Sequence, residues 1–235
     1  MSEFYELTSL ACPMLGTSEV AKAARDWVAT PDAIGTPLGF WRTEFSTLGR
    51  LLILRGFDTA DALRQERRRA LLSANPFNAG RLITALEMVS YQRFPFLPPA
   101  RPGAHGDVFE FRTYKLKPGG LPPTLAGWEA AIAPAREYTA HLVINMYALD
   151  GPPRITHIWG FESLAQRARC AATLFPPASG PPRVDRTTSV RRSRSSRCPR
   201  ANDHAVPLTR GHADIFETHT DRAEKHTRRS NGETS

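Results

Sequence analysis

Glu110, Arg112 and Tyr114 fall at alternate positions of one apolar–polar stretch. On a strand, all three share a face. A carboxylate, a guanidinium and a phenol in a row could hold a polar ligand, with Arg112 offering a two-pronged fork to an oxyanion. The same spacing also suits a structural Glu110–Arg112 ion pair or a solvent face. His157 and Trp159 are likewise two apart. An imidazole is the side chain suited to a general base near neutral pH; a hydrogen-bonded structural histidine is the plainer reading. Glu44, close to Trp41, is read either as a ligand contact or as the edge of a hairpin. The candidate ligand-binding set is therefore Glu110, Arg112, Tyr114, His157, Trp159, Trp41 and Glu44, and no residue is assigned a catalytic role.

Other chemistries have no motif here. The seven histidines are scattered and show no metal-ligand spacing in the first 175 residues. No Walker, GxGxxG or GxSxG pattern occurs, and Lys117-Pro118-Gly119-Gly120 is a turn without phosphate-loop spacing. No cofactor is expected. Cys12, Cys170 and Cys198 form no CxxC pair, which argues against a disulfide framework and favours a reducing compartment. No apolar run reaches the roughly 20 residues that cross a bilayer. The opening Met1-Ser2-Glu3-Phe4-Tyr5-Glu6 is acidic where a signal peptide is basic. A cytoplasmic protein without a membrane contact is expected.

The elements that must position these residues come in two sets. Leu54-Arg55-Gly56-Phe57-Asp58 is echoed by Ile158-Trp159-Gly160-Phe161-Glu162, 104 residues later. Each precedes a helical pattern. A period this long suits two copies of a small domain better than a solenoid. In the first copy, strands are expected over 4–11, 40–46, 51–57 and 86–93. Helices are expected over 18–29, with Ser18 as N-cap, and 59–72, with Arg64, Arg67 and Arg68 facing water. In the second, strands over 108–116, 141–149 and 154–161 accompany a helix opening at Pro122 or Pro123 and another over 163–174. The order βαββαβ is that of a ferredoxin-like unit. Pro95, Pro98, Pro99 and Pro102 mark the boundary between the copies. The domains are thus 3–97, a proline-rich linker at 98–106, and 107–175. Trp27 and Trp128 occupy equivalent helices and are expected in the core.

These motifs resemble the NIPSNAP family over about residues 3–175. Phe109-Glu110-Phe111-Arg112-Thr113-Tyr114 with Leu116-Lys117-Pro118-Gly119 is similar to the family's E-x-R-x-Y strand and L-K-P-G turn. Gly39-Phe40-Trp41-Arg42-Thr43-Glu44 resembles its G-x-W-x-T-E segment. His157-Ile158-Trp159-Gly160-Phe161-Glu162-Ser163-Leu164 resembles its H-x-W-x-Y-x-S-L segment, with Phe161 for the tyrosine. Asn75-Pro76-Phe77 stands where the family commonly has D-P-x-W. The first copy has Thr8 and Leu10 in place of Arg112 and Tyr114, and Gly49 replaces a frequent Asn. The second copy lacks a Trp-x-Thr-Glu match, so the motif residues are divided between the copies. The resemblance implies an α+β fold, two tandem ferredoxin-like units forming a dimeric α+β-barrel-like pair within one chain, with helices outside. It brings no established enzymatic activity.

Residues 176–235 read differently. They hold twelve of the Lys and Arg residues against seven Asp and Glu, an excess of five in the chain's formal +8. Low apolar content with high charge predicts disorder. The second unit is expected to lack its last strand. A frameshift near 168–176 would explain both the truncated repeat and the change of composition. The rival is a basic arm that binds nucleic acid through residues 190–197, so a nucleic-acid role rests on 176–235 alone. The expected function is small-ligand binding or protein interaction. A cofactor-independent enzyme on a small organic substrate is the alternative, and association of two chains is left open.

Overall fold

The structure is a computed structural model. It describes residues 2–45, 47–133, 139–174 and 210–216, with the backbone alone for 172–174 and 210–216. Its elements run β1 (Phe4–Ala11), α1 (Thr17–Val28), β2 (Thr36–Thr43), β3 (Arg50–Phe57), α2 (Ala60–Leu72) and β4 (Ala85–Arg93). They continue with β5 (Val108–Lys115), α3 (Leu121–Ile132), β6 (Leu142–Ala148), β7 (Arg154–Phe161), α4 (Leu164–Leu174) and β8 (Arg210–Phe216). The fold is α+β, with a strongly curled sheet and helices outside it. The strands close a barrel in the order β1-β3-β2-β8-β5-β7-β6-β4, and β4 pairs back onto β1.

Alternation along each strand sorts the side chains into two layers. Tyr5, Trp41, Leu52, Leu54, Val89, Tyr91, Phe109, Phe111, Ile144, Met146 and Ile158 point inward as one apolar cluster. Full burial of each large side chain contributes about 1.5–3 kcal/mol. The interior hydroxyls are satisfied. Tyr91 and Thr113 both hydrogen-bond Thr156 Oγ1, at 3.0 and 2.9 Å. Tyr5 donates to the Ser2 carbonyl and accepts from the Ala100 N–H. The outward residues Leu10, Phe40, Leu51 and Ile53 pack instead against Val20, Ala21, Ala24 and Trp27 of α1.

Local signals explain the element ends. Thr59 accepts from the Ala62 N–H and Ser163 from the Gln166 N–H, so α2 and α4 each start on a side-chain cap. The first outer helix does not: α1 opens at Thr17, with Gly16 at the cap and no side-chain cap bond, and Ser18 lies inside the helix. Gly49 turns β2 into β3 at φ +70°, and a Cβ there would lie 2.4 Å from the Cys12 carbonyl oxygen. Space, as well as the left-handed backbone, calls for glycine at this position.

Two expectations are corrected. The place next to β5 where the second set was expected to lack a strand is not empty: Arg210–Phe216 forms β8 between β2 and β5, parallel to both. The remainder of 176–235, including the arm at 190–197, lies outside the described residues. Composition concealed β8 because Ile215 and Phe216 are a short apolar pair in a polar stretch. Arg67 does not simply face water. It donates to Asp150 in the β6–β7 turn at 2.8 Å, and Asp150 also accepts from the Ser90 N–H, tying α2 to the second half of the chain.

Under α2, charge is buried but paired. Arg55 lies between Glu6, at 2.6 Å, and Glu66, and all three are within 1% of full burial. Burial pushes the Glu66 carboxyl upward, but the Arg69 hydrogen bond, the Arg55 charge and the Ile34 N–H outweigh it and hold the group below its ordinary range. Arg69 in turn covers the Trp27 ring at 3.9 Å. Removing the shared cation strands Glu6 in the dry layer, while Glu66 keeps Arg69. Arg55→Met is expected to cost roughly 3–5 kcal/mol at pH 7, read as a fall in the urea midpoint.

Candidate functional site

The candidate residues divide between the two faces of the sheet. Trp41 lies in the barrel interior, with ring centroids 5.3 Å from Phe109 and 5.1 Å from Phe111. Glu110 and Arg112 project from β5 to the opposite, outer face, beneath the helices. Glu110, Arg112 and Tyr114 therefore share a face, and it is not the one turned to the barrel interior, because Phe109, Phe111 and Thr113 take the inward positions. Glu44 stands just past the end of β2, so Trp41 and Glu44 form no single site with Arg112 and His157.

Arg112 and His157 do come together. They are directly opposed across β5 and β7, and His157 is directly opposed to Asn145 across β7 and β6. Opposed residues share a face, so Asn145, His157 and Arg112 form one row on the outer face of the second half. Asn145 is fully buried and His157 is 2% exposed. Both polar atoms of the Asn145 side chain, and His157 Nε2, have no hydrogen-bond partner among the described residues. Such groups each cost about 1–3 kcal/mol when left unsatisfied. The corresponding row in the first half is Phe40, Ile53 and Thr8, where Phe40 and Ile53 are packed firmly by α1. The same fold positions are thus mainly apolar in one half and polar in the other.

Aromatic rings enclose the row. The Trp128 ring stands edge-on to His157 at 4.5 Å, with Tyr114 at 5.3 Å and Phe94 and Trp159 both at 6.4 Å. Arg112 lies over the Trp159 ring at 5.6 Å. Trp128 belongs to α3, a helix that buries none of its residues, whereas α1 buries five. The cover over the polar row is the more lightly seated of the two equivalent helices. Trp128 packs on the sheet as expected, but it is only half-buried.

Burial, followed by the Arg112 charge, lowers the His157 pKa from 6.5 to about 3. The ring is neutral at pH 7. Next to the row, Glu110 accepts from Arg112 at 2.6 Å and from Arg167 of α4 at 2.7 Å. Burial raises its carboxyl, but these two guanidiniums outweigh that and hold it below the ordinary range. The ion pair weighed from sequence is present, with Arg167 as an unforeseen third member. Asn145 was also missed. Its counterpart in the first half is Phe40, but the β6–β7 hairpin is one residue shorter than the β2–β3 hairpin, with 147 opposite 155 where 42 is opposite 51, so the offset of 104 that aligns Gly56 with Gly160 does not align the two. Among the described residues, no group of three or more His, Cys, Asp or Glu side chains could hold a metal. No described helix is long and apolar enough to cross a membrane.

Residues 109–193 match the NIPSNAP family model, the region that contains the row and its covering helices. No curated protein matches the chain. Among solved structures, an anthrone oxidase-like protein is similar at TM-score 0.51 and 10% identity, over 76% of this chain and 80% of its own. At that identity the likeness concerns the fold. A NIPSNAP-like domain protein from Burkholderia xenovorans aligns at 17% identity over 43% of this chain and 93% of its own, with TM-score 0.36. A NIPSNAP domain protein from the same organism aligns at 16% identity over 41% and 99%, with TM-score 0.33.

The depressed His157 pKa carries a pH signature. The unfolded chain takes up a proton near pH 6.5, while the folded chain resists until about 3. The unfolded state therefore binds more protons between these values, and stability falls as pH falls through that window. From pH 6.5 to 5 this one group is expected to remove about 1.5 kcal/mol. Urea unfolding of the wild type and His157→Gln at both pH values checks it, since the variant lacks the term. Glu110 contributes its own loss only below about pH 4.3, outside that interval.

Proposed function

We propose that the chain is a small-ligand-binding protein. In this reading it is built as two tandem ferredoxin-like units of the dimeric α+β-barrel kind. The second unit holds the ligand between α3 and the row Asn145–His157–Arg112. The observation that carries the reading is the set of buried, unpartnered polar atoms on Asn145 and His157, in a sheet whose interior hydroxyls are all provided for. A ligand lying along the row meets an amide, a neutral imidazole and a guanidinium in succession. Neighbouring strands are about 4.8 Å apart, so the row spans about 10 Å, the length of a small aromatic acid. Arg112 has five donors in a fork and can hold Glu110 and a ligand oxygen together. Trp128, Phe94 and Tyr114 supply flat apolar walls, as small-molecule sites generally do.

The geometry favours binding over proton abstraction. A histidine with a pKa near 3 is neutral but weakly basic, far from the value that suits a general base at pH 7. The nucleic-acid reading rests on 176–235, of which only the backbone of 210–216 is described.

The test uses 4-hydroxyphenylacetate as probe, since it carries a carboxylate at one end and a hydroxyl at the other. Calorimetric titration of the full chain is expected to give a sub-millimolar Kd. Asn145→Leu is expected to weaken binding at least ten-fold while raising the unfolding midpoint, because it removes an unsatisfied buried amide costing about 1–3 kcal/mol. No binding, together with a lower midpoint in Asn145→Leu, would mean that the amide serves the fold through ordered water, and the reading would fail.

A further inference from the structure

β8 has the wrong polarity for its place. Six of the eight neighbouring pairs in the barrel are antiparallel. The two exceptions are the pairs β8 makes, parallel to β2 on one side and parallel to β5 on the other. Turning this one strand end for end would make every pair in the barrel antiparallel. The matching strand of the first half shows what such a place accepts. β4 lies antiparallel to both of its neighbours, β1 and β6, and residues 85–92 are in continuous register with 4–11. β8 is in register with 40–43 of β2 and 108–112 of β5 only.

Neither sequence nor connection compels the parallel arrangement. Parallel pairs are slightly less stable per residue than antiparallel ones. Arg210-Gly211-His212-Ala213-Asp214-Ile215-Phe216 contains Gly, Ala and Asp, residues depleted from strands, whereas β4 carries Met88, Val89 and Tyr91. The 35 residues between Leu174 and Arg210 could extend over 100 Å, ample to enter the slot from either end. The incumbent strand is thus weakly held between two long, well-formed neighbours. Without it, β2 and β5 would each expose an unpaired edge.

We infer that the slot between β2 and β5 is an acceptor for an extended segment of another protein, entering antiparallel to both strands and displacing β8. Its preferred occupant follows β4: a stretch of about eight residues with Val or Tyr at alternate positions toward the barrel interior. There Trp41, Phe109 and Phe111 present an aromatic wall. Main-chain hydrogen bonds to both edges would supply most of the affinity, and the alternating side chains the selectivity. The slot lies on the side of the barrel made by β2 and β5, and this inference does not depend on the ligand reading.

The probe is a synthetic peptide of the β4 sequence, ALEMVSYQR, fluorescently labelled and titrated into the full chain. Saturable binding is expected, a scrambled peptide should not bind, and the amides of 210–216 should lose hydrogen-exchange protection as the peptide saturates. Ile215→Pro removes a ladder donor from the incumbent only and is expected to tighten peptide binding at least five-fold. A spin label on the peptide N-terminus should broaden signals near Lys115, the far end of β5, and spare those near Val108. Four outcomes would overturn the inference: no binding, binding that leaves 210–216 protected, broadening at Val108, or concentration-dependent pairing of two chains that excludes the peptide.

Discussion

The contact of Trp41 with Phe109 and Phe111 is the one on which the barrel depends. Trp41 belongs to β2 and the two phenylalanines to β5, with β8 alone between those strands. Ring contacts at 5.1 and 5.3 Å therefore join the first and second halves directly through the interior, whatever backbone hydrogen bonds β8 supplies. Gly39 belongs to the same arrangement, since a Cβ there would lie 2.1 Å from the Trp41 ring. The shared interior is lined by apolar side chains, and its hydroxyls are paired. Variation in function has to be carried by the outer faces, under the helices.

The two outer faces show how far that variation has gone on one backbone pattern. Glu6 and Glu110 occupy equivalent positions on β1 and β5, and both are fully buried or nearly so. Their cations come from different places. Glu6 takes Arg55 from the adjacent strand, whereas Glu110 takes Arg112 from its own strand and Arg167 from the helix above. The position of Arg55 is filled in the second half by Trp159. The need for a charge-assisted partner to a buried carboxylate is common to both. Which element meets it differs, and that choice decides whether the face closes over an apolar row or a polar one.

Much of the element order could be read from sequence because its signals are local. The matching stretches at Gly56 and Gly160, the prolines near residue 98 and the alternation of 108–115 each act within a few residues, whereas the one cap read from sequence, Ser18, lies inside α1. The pairing of Arg112 with Glu110 was legible for the same reason, being two residues apart on one strand. The sheet face to which that pair belongs was not legible, because alternation shows that residues share a side but not which side is inside. Asn145, Arg167 and Asp150 depend on contacts across strands or between distant elements, and a one-residue difference in hairpin length hid the first of them. β8 was invisible for a further reason: a strand in a slot with two waiting edges needs little apolar character of its own.

α3 is more lightly seated than α1, and the polar row beneath Trp128 is one contribution. A helix gains its place mainly by burying an apolar face. α1 has Phe40 and Ile53 beneath it to bury against, while α3 rests Leu121, Leu125 and Trp128 on Phe94, Leu116, Ile155 and Trp159 and also meets His157. Trp128 can pack its edge on the neutral His157 ring but cannot satisfy the Asn145 amide. The row therefore weakens its own cover, and local opening of α3 costs less than global unfolding of a barrel held together by its interior. A site that needs both enclosure and entry is served by this combination: firm sheet, unsatisfied polar floor and loosely held lid. Filling the row with apolar side chains like those of the first half would seat α3 more as α1 is seated.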